Sequence, residues 1–285
     1  MKKKNSLRNI KKTWIKQKRE LHEMIVMAPH FKFDSFGFGS MIRLSRKYSC
    51  ILFDQESKTS LSLETLKKWI NYRIQDRINV KDISISYEVS YVILKNDDLK
   101  LIRLISILDD LYHQKGKLII ALDGNSASGK STLSKMLGTI FNGSVFHTDD
   151  FFKKIENNPN DPISKYGSNI DFDKINRDIL KLLSLSEVVS YQPFDFKKHQ
   201  HLENISISYR PFNIIEGAYS MHPHLEVKYD YKILMKIGFM KAIRRIYKRN
   251  GFKRLIKFIH VWMPKERSYI KHLHIEQKAD YILKI

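Results

Sequence analysis

The sequence predicts an α/β protein. Its main unit, residues 117–285, should be a five-stranded parallel sheet flanked by helices, with a smaller α+β region ahead of it. Three observations predict this. An unbroken apolar run at residues 118–122 leads straight into a glycine-rich loop that opens a helix. Beyond the loop, short apolar runs alternate with stretches of helical spacing, the pattern of a parallel sheet covered on both faces. Ahead of it, strand-like and helical stretches occur without that regular alternation.

Residues 1–20 come first and form a basic arm. Lys2, Lys3, Lys4, Arg8, Lys11, Lys12, Lys16, Lys18 and Arg19 have few apolar neighbours. Such a run is a solvated helix face or a weak binder of polyanions. Residues 21–112 read as folded. Residues 50–53 and 83–94 have strand composition, and 61–74 and 99–113 have helical spacing, the former opened by Ser62 and Glu64. The Phe-Gly-Phe-Gly-Ser stretch at 36–40 is too short and aromatic for a phosphate loop and reads as a turn. Asp54 reads as an ordinary strand-to-loop aspartate. In the main unit, strands are expected at 118–122, 144–147, 212–215, 231–236 and 281–284. Helices are expected at 130–141, 171–185, 241–249 and within 256–276.

Composition narrows the class. The net charge of +21 is spread along the 285 residues, with 23 basic against 13 acidic residues in 1–116 and 28 against 17 in the rest. No nucleic-acid reader motif accompanies it, and a phosphate-bearing ligand would also favour a basic surface. The single cysteine, Cys50, excludes an intramolecular disulfide framework. No apolar run approaches the roughly 18 residues of a membrane-spanning helix. The basic start is not followed by an apolar signal stretch, so a cytoplasmic location is expected.

Four groups of residues carry chemistry. Gly124, Asn125, Ser126, Ala127, Ser128, Gly129, Lys130 and Ser131 match a P-loop directly after a buried strand. Its glycines let the backbone wrap a phosphate, and the helix N-terminus turns amide hydrogens toward the anion. Lys130 supplies a positive charge to the phosphates, Ser131 a hydroxyl to Mg²⁺, and Thr132 continues the helix. Asp149 and Asp150 follow a strand end, where a carboxylate can orient an attacking hydroxyl and take its proton. Neighbouring strand residues point to opposite faces, so one aspartate can meet the acceptor while the other caps or supports; physics alone leaves open which. Glu216 and Gly217 end an apolar strand in the manner of a Walker B element. Arg245 and Arg249 share a helix face, with Arg244 beside them, where they can close over phosphates.

Together these motifs resemble the uridine kinase-like branch of the P-loop kinases, related to phosphoribulokinases. The resemblance spans residues 117–285. It rests on the P-loop, on Asp149-Asp150-Phe151-Phe152, on Asn169-Ile170-Asp171 and on Phe194-Asp195-Phe196-Lys197-Lys198-His199. Glu216-Gly217 and the Trp-x-Pro-x-Glu-x-x-Tyr element from Trp262 to Tyr269, found in bacterial members, complete it. It implies a P-loop kinase fold, ATP and Mg²⁺ as cofactors, and phosphoryl transfer to the hydroxyl of a nucleoside or another small hydroxyl-bearing metabolite. Asp149 would be the base, with Lys130, Arg245 and Arg249 also catalytic. Asp150, Asp171, Phe194 and His199 would face the acceptor, with Asp171 on the ribose hydroxyls. Ser131 and Glu216 would serve the metal, and Arg244 would join the other arginines in a lid over ATP. Phe194 stands where the pyrimidine enzymes carry tyrosine, and the arginine-rich run is short. Nicotinamide riboside or pantothenate thus remain alternative acceptors, and a non-catalytic nucleotide-binding regulator associated with RNA remains an alternative role. Residues 1–116 match no family.

Overall fold

The computed structural model describes residues 90–153, 165–185, 187–195 and 200–285. Before them it describes strands at 34–36, 39–43, 48–53 and 83–85 and helical positions at 65, 68, 69 and 72. The basic arm, Asp54 and His199 lie outside the described residues.

Strands β1 (Asp34–Phe36), β2 (Gly39–Arg43), β3 (Tyr48–Phe53), β4 (Ile83–Ile85) and β5 (Ser90–Lys95) form an antiparallel sheet in the order β1-β2-β3-β5-β4. Phe36 pairs with Gly39, so β1 and β2 meet antiparallel on either side of the expected turn, whose residues 37 and 38 lie outside the described residues. The single strand expected at 83–94 is two strands, β4 and β5, which pair antiparallel with Ile85 opposite Ser90. Helix α1 (Asn96–Lys115) follows β5 directly. Its buried Ile102, Leu104, Ile105 and Leu108 join one hydrophobic core with Leu118 and Ile120 of the next strand.

The main sheet contains β6 (Leu118–Gly124), β7 (Ser144–His147), β12 (Phe212–Glu216), β13 (Tyr231–Lys236) and β14 (Tyr281–Lys284). All its pairings are parallel, in the order β14-β13-β6-β12-β7. Alternate residues feed two cores. Leu118, Ile120 and Leu122 face α1 and α2 (Lys130–Ile140), while Ala121, Ile215 and Leu234 face the opposite layer. Burial on both faces explains the near-continuous apolar run of the central β6. Short strands β8 (Val189–Tyr191), β9 (Phe194–Asp195), β10 (Gln200–His201) and β11 (Ile205–Ile207) pair as β11-β8 and β10-β9 beside it.

The opposite layer holds α3 (Phe172–Ile175), a π turn at Asn176–Leu180 and α4 (Lys181–Ser184), which together fill the expected 171–185 helix. Helix α5 runs from Phe239 to Lys257, beyond both expected ends, with Gly251 non-helical inside it at φ 74° and ψ 177°. A π turn at Phe258–Trp262 leads into α6 (Met263–His272).

The β6 strand must leave the sheet sharply at Gly124, which has φ 145°. A Cβ there would sit 2.1 Å from the Met235 carbonyl oxygen of the neighbouring strand. Gly124→Ala should therefore cost at least ~2 kcal/mol, combining backbone strain with overpacking. The check is the urea midpoint; an unchanged midpoint would mean the strand exit tolerates a side chain.

Candidate active site

Four chain segments meet at the carboxyl edge of the main sheet, where open α/β sheets place ligands. After β6 the P-loop turns through Gly124, Ala127 (φ 62°) and Gly129 (φ 99°) into α2. Among the described residues no side chain caps α2, so its first amide groups face the cleft, ready for an anion. Lys130 Nζ lies back on the loop, donating to the carbonyls of Gly124 at 2.8 Å and Asn125 at 3.2 Å.

Two buried acids hold the loop from below. Asp123 accepts the amides of Gly124 (2.6 Å) and Met221 (2.9 Å) and the Tyr269 hydroxyl (2.7 Å). Burial pushes its carboxyl up, against the pull of those bonds and of Lys130. Glu266 accepts the Ser126 amide at 2.8 Å and the Ser126 hydroxyl. Burial raises its carboxyl too, with Lys130 and Ser126 opposing. Glu266 and Tyr269 stand three residues apart on α6, so one helix face grips both ends of the loop entry. This explains the Trp-x-Pro-x-Glu-x-x-Tyr element structurally; motif reading assigned neither residue a task. The readable signal was an acid and a tyrosine at i and i+3 in a helical stretch.

At the end of β12, buried Glu216 presents Oε1 to the Ser131 hydroxyl at 3.3 Å and Oε2 to His147 Nδ1 at 2.5 Å. The bond from Glu216 raises the His147 pKa above its ordinary 6.5, with burial opposing. His147, the strand end to which the motifs give no role, aligns with Glu216 across the β7–β12 pair.

The strand ends at His147, and Asp149 and Asp150 lie on a 3-10 turn, Thr148–Phe151. The divergence expected from strand geometry thus comes from the turn. Asp150 Oδ2 accepts the hydroxyl of buried Tyr191 at 2.8 Å. Asp149 is open to the cleft, facing Lys130 and Glu216. Enclosure by the cleft walls raises its carboxyl above the usual 3.8, and Lys130 pulls it down.

The cleft has a volume of about 1060 Å³. Its walls include the P-loop from Ser126 to Thr132, Asp149, Asp150, Glu216, Phe194, Arg245 and Arg249. Arg245 Nη1 donates to the Ala127 carbonyl at 3.0 Å, bringing α5 over the loop. Arg244 is exposed and off this wall, because helical spacing turns it away from the face shared by Arg245 and Arg249. Asp171, expected on the acceptor, commits Oδ1 to capping the Lys174 amide at 3.0 Å. Its neighbours Asn169 and Ile170 line the cleft in its place.

Phe152 and Trp262 add an edge-to-face aromatic pair to the same wall. Tyr219 is a further lining residue without a motif. It follows Gly217 with φ 71°, an unusual conformation for a side-chain-bearing residue. Its hydroxyl is buried and has no hydrogen-bond partner among the described residues. Burial and the nearby Glu266, Asp123 and Asp149 carboxylates push its pKa up and hold the phenol protonated, with an O–H to donate.

Among solved structures, a possible uridine kinase from Bacillus stearothermophilus aligns at 20% identity and a TM-score of 0.45, covering 59% of this chain and 88% of that one. A candidate fructose transport system kinase from Silicibacter sp. TM1040 aligns at 22% identity and 0.43, covering 59% and 90%. No protein-family model matches. Uridine-cytidine kinase D of Dictyostelium discoideum is 28% identical over 136 residues, 46% of this chain and 26% of that protein's length. By the order of its motifs and by this match, the chain resembles the uridine kinase-like branch of the P-loop kinases.

Proposed function

We propose that this protein transfers the γ-phosphoryl group of ATP to a hydroxyl of a nucleoside-like small molecule. The observation that carries the reading is the meeting, in one cleft, of the P-loop with Lys130 and an accessible carboxylate, Asp149. The triphosphate lies on the α2 amide groups, and Lys130 leaves the loop carbonyls to meet it. Asp149 accepts the acceptor's proton as its oxygen bonds to the γ-phosphorus and the β–γ bridging oxygen departs with ADP. Arg245 and Arg249 balance the charge spreading over the transferring group.

Magnesium fits the donors present. Ser131 Oγ and Glu216 Oε1 are hard oxygens 3.3 Å apart, and such a site is completed by phosphates and water. Among the described residues no cluster of three or more His, Cys, Asp or Glu is arranged to hold an ion unaided. When bound, the ion supplies neutralising charge to the phosphates. His147 steadies Glu216 from its other oxygen.

The acceptor end combines Phe152, Phe194 and Trp262 with Asp150 and Asn169, a wall suited to a flat ring carrying hydroxyls. Asp171 serves this wall by capping the helix that follows Asn169 and Ile170. An ATP-consumption screen over nucleosides, nicotinamide riboside, pantothenate and sugars tests the reading. Turnover dependent on a nucleoside is expected; ATP binding with no acceptor-dependent turnover would sink it. The unpartnered Tyr219 hydroxyl is assigned to the acceptor. Tyr219→Phe should raise the acceptor KM roughly two- to tenfold, the scale of one neutral hydrogen bond, and leave the ATP KM unchanged. An unchanged acceptor KM would mean the hydroxyl points elsewhere.

A further inference from the structure

The cleft does not end at the P-loop. On the far side from Asp149 it continues between Leu133 and Met136 of α2, Ile285 after β14, Leu101 of α1 and Tyr72. These five side chains are apolar or aromatic, unlike the acid-bearing acceptor end. Leu133 and Met136 are buried in the main core, and Tyr72, Leu101 and Ile285 pack against that core while remaining half-buried at its rim.

Two sets of bonds hold Tyr72 there. The Thr65 hydroxyl donates to buried Asp109 on α1 at 2.7 Å, and helical spacing places Thr65, Trp69 and Tyr72 on one face. Helix α1 is in turn docked on β14: the Tyr281 hydroxyl donates to the Lys100 carbonyl at 3.1 Å, and Lys100 Nζ reaches the Lys284 carbonyl at 3.4 Å. Trp69 is 1% exposed, so the Tyr72 helix is seated in the core rather than laid on the surface.

Resting on the kinase reading, we infer that residues ahead of the main sheet complete the donor site, with Tyr72 and Leu101 forming the wall against which the base of the nucleotide stacks. The direction follows from the phosphates. The γ-phosphate must lie near Asp149, so the rest of the nucleotide leaves the P-loop on the other side. Met136 lies six residues beyond Lys130, about 9 Å along the helix, a span that a ribose and the start of a base can bridge. An apolar slot with one aromatic ring takes the π-face of a base and offers nothing to a second phosphate. The role of the α+β region is thus to hold the base, while the main sheet holds the phosphates.

The test compares magnesium–ATP with magnesium–tripolyphosphate, which lacks ribose and base, by calorimetry on the full chain. Tyr72→Ala should weaken ATP binding roughly tenfold, leave tripolyphosphate binding unchanged, and be restored by Tyr72→Phe. Equal weakening of both ligands, or of neither, overturns the inference. Hydrogen exchange on the wild type gives an answer even if Tyr72→Ala unfolds. ATP, but not tripolyphosphate, should add protection around residues 65–72 and 100–106; equal protection by both overturns the base site while leaving the P-loop reading intact. A wild-type chain that binds neither ligand overturns both.

Discussion

Lys130→Ala should leave a folded protein whose kcat is lower by two to three orders of magnitude or more, the scale seen when one preorganised charge stabiliser is removed. The Lys130 ammonium touches two loop carbonyls and contributes no apolar packing, so the fold has little to lose. Denaturation midpoints should agree within about 1 kcal/mol, the worth of an ordinary hydrogen bond. Steady-state kinetics with thermal melts separates the two effects. A variant keeping most of its kcat would remove the P-loop from the reaction, and one that fails to fold would show that the lysine holds the loop rather than the phosphate.

Asp149→Asn should reduce kcat by about two to four orders of magnitude, since the amide keeps the shape and loses the basicity. Asp150→Asn should act differently. Its oxygen already accepts the Tyr191 hydroxyl, a bond that an amide oxygen can preserve, so a smaller loss is expected, on acceptor KM more than on kcat. The Tyr191 bond thus adds a physical argument to the choice of Asp149 as base, which the family resemblance implies and strand geometry alone leaves open. The pH profile offers an independent check. Cleft enclosure raises the Asp149 carboxyl above 3.8, so kcat should fall on acidification through a pH above that value as the base becomes protonated. That limb should vanish in Asp149→Asn. If Asp150→Asn is the inactive variant and Asp149→Asn is near normal, the roles exchange.

Buried parallel strands advertise themselves: the central β6 could be read nearly to the residue because both its faces are buried, and the edge strands β7 and β14 from their short apolar composition. The division of 83–94 could not. The sequence between the two strands, Ser86, Tyr87, Glu88 and Val89, carries none of the Gly, Pro, Asn or Asp that mark a reversal. The P-loop was legible because local spacing carries all its chemistry. The acids beneath it were not: Ser126 and Glu266 are 140 positions apart, and nothing local marks their meeting. Asp171 shows a different ambiguity. An aspartate opening a helix serves equally as ligand or cap, and the Lys174 amide claims it. Tyr219 was hidden because a positive φ on a tyrosine leaves no trace in composition.

The grip of α6 on the P-loop has a bearing on how the protein meets its ligand. A glycine-containing loop has many conformations available, and selecting one of them costs roughly 1–2 kcal/mol per residue in lost backbone entropy. The bonds that Ser126 donates to Glu266 and Tyr269 donates to Asp123 make that selection as the chain folds. On the kinase reading, a phosphate would then enter a cradle already shaped for it, and its binding energy would not be drawn down in ordering the loop. A segment late in the chain would thereby set the affinity of a loop near its middle, and variation in α6 would be felt as weaker nucleotide binding rather than as altered chemistry.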